Sequence, residues 1–239
     1  VTVICARRAT ARFLVKKFFE FFVYPLSDSA VDLATIEKFA DVYFSSNHSI
    51  QELFRAIFTS DEFFSPQARF ALVKTPADLL AGSIRTLASS YNPGSLNNGD
   101  YELNDQFRRV GLDLLNPFDV SGWKLNLGWL NTSTVLERYN FANNLISNRD
   151  FSRRAIGARV NSSALKPHCD PSAETTVRNF LQLLGPLQVS DDTVNVLTNY
   201  LQTDDDGSPL PWVVNDSTID KQVRGLVYLI MSLPEFQMS

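Results

Sequence analysis

Trp123 and Trp129 sit in a loop punctuated by Gly122 and Gly128, and Asn131-Thr132-Ser133-Thr134 follows at once. Indoles offer flat apolar faces that can stack on a sugar ring or a peptide. Asn131, Thr132 and Asn140 would add directional hydrogen bonds, and Arg138 a charge. A second reading is open on the same residues: the indoles fill a core between helices, while Asn131 to Ser133 cap the next one. Under the first reading the loop is a binding wall set on a rigid scaffold.

The other chemistry-bearing residue types are sparse. There are 2 histidines and 2 cysteines. No G-x-S-x-G elbow occurs, and no His/Cys spacing suits zinc. His168-Cys169-Asp170 carries catalytic-looking letters, but adjacent side chains point in different directions. His48 precedes a helix cap and reads as a loop residue. Asp204-Asp205-Asp206-Gly207-Ser208 is a faint calcium pointer without the ligand spacing of an EF-hand, and reads as a solvated turn. Asp61-Glu62 and Asp191-Asp192 are neighbours in sequence, which does not give the opposed geometry of a glycosidase pair. Glycine-rich phosphate cradles are absent. The sequence therefore predicts no catalytic residue, no bound metal and no cofactor. Cys5 and Cys169 are too far apart for a CxxC motif, and one bridge between them is open.

The charge is -4 overall but uneven. Arg7, Arg8, Arg12, Lys16 and Lys17 against Glu20 give the first 24 residues a local +4, leaving -8 for the rest. An acidic body argues against a nucleic-acid partner. Arg12, Lys17 and Lys74 are candidates for pairing with carboxylates or another anion, Arg12 and Lys17 from positions that become partly buried once an upstream part of the protein covers their helix. No apolar stretch is long enough to span a bilayer.

The elements that must position these residues are helical. Leu14, Phe18, Phe21 and Phe22 share one face of a helix over Thr10–Tyr24, and Phe13 and Phe19 extend its apolar surface around the circumference. Such a helix needs a cover. The expected cover is an upstream part of the same protein or another subunit, since the chain opens directly into helical sequence. Leu33, Ile36, Phe39, Ala40, Tyr43 and Phe44 mark a second helix after the cap candidates Ser27, Asp28 and Ser29. Ser49-Ile50-Gln51-Glu52 reads as a capping box opening a third. Thr75-Pro76-Ala77-Asp78 opens a fourth, with proline at its first position. Phe107, Val110, Leu114 and Leu115 suggest a fifth, and Val135 to Ile146 a sixth. Asn161 to Ser172 is the candidate linker. Val177 to Leu184, Val194 to Leu201 and Ile219 to Ile230 complete the set. Period-two alternation is missing. The expectation is an all-α fold of nine to eleven helices, with 1–160 as a main domain containing the Trp loop and 161–239 as a C-terminal subdomain packed on it.

Ala9-Thr10-Ala11-Arg12-Phe13-Leu14, Leu53 to Phe63, Lys74-Thr75-Pro76-Ala77-Asp78, the stretch Gly122-Trp123 through Arg138-Tyr139-Asn140-Phe141-Ala142, and the closing Pro234-Glu235-Phe236-Gln237 occur in one order. Together they resemble the DUF1800 family, bacterial proteins of unknown function. Asp78 stands where that pattern usually has Glu, and Asp61 where it often has Pro. The resemblance implies the C-terminal part of a longer helical protein, exported to the periplasm, cell surface or exterior. It supplies no catalytic residues. The leading expectation is a non-catalytic structural or interaction protein of the bacterial envelope. The alternative is an enzyme or binding module acting on an extracellular polymer or glycan through Trp123 and Trp129, with a carboxylate from Asp61, Glu62, Asp78 or Glu137.

Overall fold

The computed structural model describes residues 2–91, 103–148 and 157–239. The chain divides into two units: Val1–Val73 with Leu125–Leu127 and Met238–Ser239, and Lys74–Lys124 with Gly128–Gln237. The turn-rich segment expected at Asn92–Asp100 lies outside the described residues.

In the first unit, α1 (Thr2–Cys5), α2 (Arg8–Phe22), α3 (Ala30–Ser45) and α4 (Ile50–Phe58) follow one another. Helix α3 packs on both α2 and α4. Ser29 caps α3 by accepting from the Asp32 amide, and Ser49 caps α4 by accepting from Glu52. Each satisfies an amide that the helix itself leaves without a partner. The core joins Ala11, Val15 and Phe19 of α2 to Ile36, Phe39, Ala40 and Tyr43 of α3 and to Leu53 and Ile57 of α4.

The buried stripe of α2 is therefore rotated from the expected one. Phe18 and Leu14 only border the core, and Phe13, Phe21 and Phe22 face solvent. Small Ala11 and β-branched Val15 share the contact line with one phenyl, Phe19, whose ring meets Phe39 of α3. Arg12 and Lys17 are exposed in this chain. Arg12 pairs with Glu37, Arg8 with Glu37 and Asp41, and Lys17 lies over the Phe13 ring.

The second unit holds α5 (Pro76–Leu87), α6 (Leu103–Arg109), α7 (Thr132–Ser147), α8 (Ser162–Leu165), α9 (Ala173–Leu183) and α10 (Asp191–Leu201). A last rod runs as α11 (Asp216–Thr218), a π-helical turn (Ile219–Val223) and α12 (Arg224–Ser232). Helix α12 packs on α7, α9 and α10, and α6 on α5 and α7. Phe141, Leu145, Val177, Phe180, Leu197, Leu226 and Ile230 fill the space between them. Only one two-residue ladder, β1 (Ser90–Tyr91) against β2 (Ala158–Arg159), interrupts the helical pattern among the described residues. The fold class is all-α, as the periodicity requires.

Two local expectations need correction. Leu114 and Leu115 do not belong to α6: Gly111, at φ 101°, turns the chain out of the helix, and both leucines are exposed. The stretch Asn161 to Ser172 contains α8 and a 3-10 turn, and Leu165 within it is buried. No helix is long and apolar enough to cross a membrane among the described residues.

Candidate functional site

Trp123 and Trp129 belong to the second unit and lie between α6 and α7 in the chain. Thr134 donates to the Trp129 carbonyl at 2.9 Å, and Asn131 and Thr134 close a reciprocal capping box on α7. This fixes Trp129 at the mouth of the helix, where it is 5% exposed. Gly111 lies beside it, where a Cβ would make ordinary contacts of 3.8 Å to the indole and 3.5 Å to the Thr134 methyl, so glycine is required there by its φ of 101° and not by space. Trp129 is thus a packing residue.

Trp123 is different. It is 37% exposed, and its one polar atom donates to the Asp113 carbonyl at 3.2 Å. What it leaves for a ligand is ring. Trp123 and Trp129 border a cleft of 630 Å³, together with Phe118, Asn116, Asn131 and Thr134. That size is ordinary for a small-molecule site.

The charged groups on this cleft are Arg108, Lys124, Asp113 and Asp119. Asp113 accepts from Asn116 at 2.9 Å and from Arg108 at 3.4 Å, and these partners hold its carboxyl below the usual range. Asp119 accepts from the Ser121 hydroxyl and, at 2.7 Å, from the Ser121 amide, with the same effect. Both acids are kept ionised. A general acid needs the reverse, a carboxyl raised by burial toward neutrality.

A family profile described as a protein of unknown function, DUF1800, matches residues 1–238. The chain belongs to the DUF1800 family. No curated protein and no solved structure matches it.

Three of the DUF1800 segments read from the sequence meet at one buried point. Arg138, 2% exposed, donates to the Lys74 carbonyl at 2.9 Å and to the Gln237 amide oxygen at 3.2 Å. Gln237 in turn donates to the Met231 carbonyl, and its own carbonyl accepts from the Lys74 amide at 2.8 Å. The Lys74 ammonium donates to the Phe236 carbonyl at 2.8 Å and stands 3.9 Å from the centre of the Phe236 ring. Burial and the neighbouring Arg138 bring the Lys74 ammonium down to about 8, against the pull of Asp78, and burial brings Arg138 down to about 10. Arg138 Nε has no hydrogen-bond partner. The K-T-P, R-Y-N-F-A and P-E-F-Q segments of this DUF1800 chain are therefore held together by cations on neutral oxygens and a ring face.

Of the residues singled out in sequence, Trp123, Trp129 and Asn131 reach the cleft. Thr132 is the exposed first residue of α7, and Asn140 lies two turns further along the same helix. Arg138 turns away into the buried node. Sequence reasoning missed Arg108, Asp113, Asn116, Phe118 and Asp119. The Asn116-Pro117-Phe118-Asp119 run signals a turn, and that is the only local mark these residues carry.

The other candidates have structural engagements. Asp78 completes the capping box with Thr75. Glu62 pairs with Lys38 at 2.8 Å, and Glu137 is 3.8 Å from Arg109. His168 packs on the Phe180 ring. Cys5 and Cys169 are free thiols, and burial pushes Cys169 up to about 11. Asp204 accepts from the Asp206 and Ser208 amides.

Proposed function

We propose that this DUF1800 chain is a non-catalytic interaction protein of the bacterial envelope or exterior. The location follows from the family resemblance alone. The binding role rests on one observation in the first unit. Phe21, Phe22, Phe54, Phe58, Phe63 and Phe64 form a continuous run of ring contacts, with centroids 4.7 to 5.8 Å apart. Phe18 joins it through Phe54 at 4.7 Å.

Much of that run is solvated. Phe64 is 74% exposed and Phe22 is 40% exposed, with Phe21 and Phe58 also open. Isolated apolar residues on a surface are ordinary, but a connected aromatic patch marks a contact surface. Covering a fully exposed phenyl is worth about 1.5–3 kcal/mol; these partly exposed rings each retain a fraction of that, and together they favour an apolar protein partner. On the same helix Arg8 and Arg12 are paired with Glu37 and Asp41, and Lys16 lies 3.8 Å from Glu20, so ring surface is the main offering.

The test is radical footprinting of Phe22, Phe58 and Phe64 in the purified chain and in membrane and envelope fractions of cells that make it. Protection in the fractions, relieved on purification, is the expected result. Equal reactivity in both settings rejects the interaction reading, and recovery of the chain only from the cytoplasmic fraction rejects the location.

A further inference from the structure

The cleft in the second unit is independent of the phenyl surface and has its own chemistry. We propose that it binds a neutral saccharide, with Trp123 and Phe118 as the stacking surfaces and Asp113, Asp119, Asn116 and Asn131 as the hydroxyl-reading groups. Four observations carry this.

Aromatic area is the first. Trp123 lies half-open with its N–H already spent on Asp113, and Phe118 is 95% exposed on the same cleft. A pyranose has a C–H face that stacks on such rings, and the ring's flat apolar body needs no hydrogen bond there. Polar complement is the second. Asn131 uses its Oδ1 on the Thr134 amide, which leaves its NH₂ group to donate. Asn116 uses its NH₂ group on Asp113, which leaves its Oδ1 to accept. Vicinal hydroxyls ask for both roles side by side.

Charge balance is the third. Two carboxylates and two cations border the cleft, and Asp113 and Arg108 are within 3.4 Å of each other. The formal charges on the lining cancel, which suits a neutral ligand with many hydroxyls better than an anion or a cation. Ionised Asp113 and Asp119 remain strong acceptors for O–H donors. Rigidity is the fourth. Ser121 and Gly122 are tied back to Asp119, with Gly122 at φ 89°, and this turn holds Trp123 in place before any ligand arrives.

The experiment is isothermal titration of the whole chain with cellotetraose, maltotetraose and chitotetraose, and with trigalacturonate and a chitosan tetramer as charged comparators. At least one neutral tetrasaccharide is expected to bind and to shift tryptophan emission, while the charged pair bind more weakly. Trp123→Ala weakens that binding by at least about tenfold. Phe118→Ala, at a position too exposed to affect folding, weakens it in the same direction, and a melting curve confirms each variant is folded. The proposal is overturned by no neutral binding up to about 10 mM, by preference for a charged oligomer, or by full affinity in both variants. None of these outcomes touches the phenyl surface, so the two readings fail separately.

Discussion

Lys74 is a partly buried cation whose hold on its proton is weakened by folding. In the unfolded chain it holds its proton to the ordinary 10.5, and in the folded chain only to about 8. Between those values the unfolded chain binds more protons, so the contribution of Lys74 to stability rises with pH. Below about 8 the folded chain carries the full cost of the buried cation. Cys169 acts in the opposite sense, because its raised thiol loses stability as pH climbs from 9 to about 11. The observable is therefore the difference between wild type and Lys74→Met in urea midpoints across pH 7 to about 10.5: that difference is expected to shift steadily in favour of the wild type. A flat difference would mean the ammonium is solvated. Arg138→Met strips the Lys74 carbonyl and the Gln237 side chain of a donor, at a cost of about 2 kcal/mol. It also removes a like charge, so the Lys74 titration, followed by NMR of its side chain, moves up. At this scale the sequence was half legible. Trp123, Trp129 and Asn131 announce themselves by residue type, and they do border the cleft. Arg108, Asp113 and Asn116 do not, because Asp and Asn in a turn look the same whether they face a cleft or solvent. Arg138 read as a charge serving the Trp-loop site because Gln237, its partner, is 99 residues away.

At the scale of elements, short-range rules explain the helix starts. Ser29, Ser49, Thr75, Asn131 and Ser190 each accept from an amide three residues on. Asn131→Ala is expected to cost about 1 kcal/mol, visible in the melting temperature, and to loosen Trp129, visible as a red shift in its emission. A stable variant with unchanged emission would show that α7 does not depend on its cap. Helix faces were less legible than helix starts. In α2 phenylalanines occupy several sides, so periodicity alone could not choose between the stripe at 14, 18, 21 and 22 and the one at 11, 15 and 19. The choice was made by tertiary packing: α3 brings Phe39 onto the Phe19 ring and buries Ala11 and Val15 beside it. One contact between elements is close enough to be tested directly. A Cβ on Gly225 of α12 would fall 1.7 Å from the Tyr200 hydroxyl of α10. Gly225→Ala must push that ring aside, at about 1–3 kcal/mol, and adding Tyr200→Phe should recover part of the loss in a denaturation cycle.

At the scale of the molecule, the phenyl surface of the first unit predicts behaviour in solution. Phe21→Ser with Phe64→Ser should reduce binding of a hydrophobic dye such as bis-ANS and reduce concentration-dependent association. Stability should change by no more than about 0.5 kcal/mol per site, because both rings are open to water. Unchanged dye binding would place the sticky surface elsewhere. The second unit has a geometric property of a different kind. Its first and last residues, Lys74 and Gln237, are joined amide to carbonyl at 2.8 Å. A polypeptide whose extremities already touch can be made into a ring, or reopened at another loop, with little loop-closure entropy to overcome. Nature's usual way of using such adjacency is to splice one globule into the loop of another, and here the engineer has the same opening.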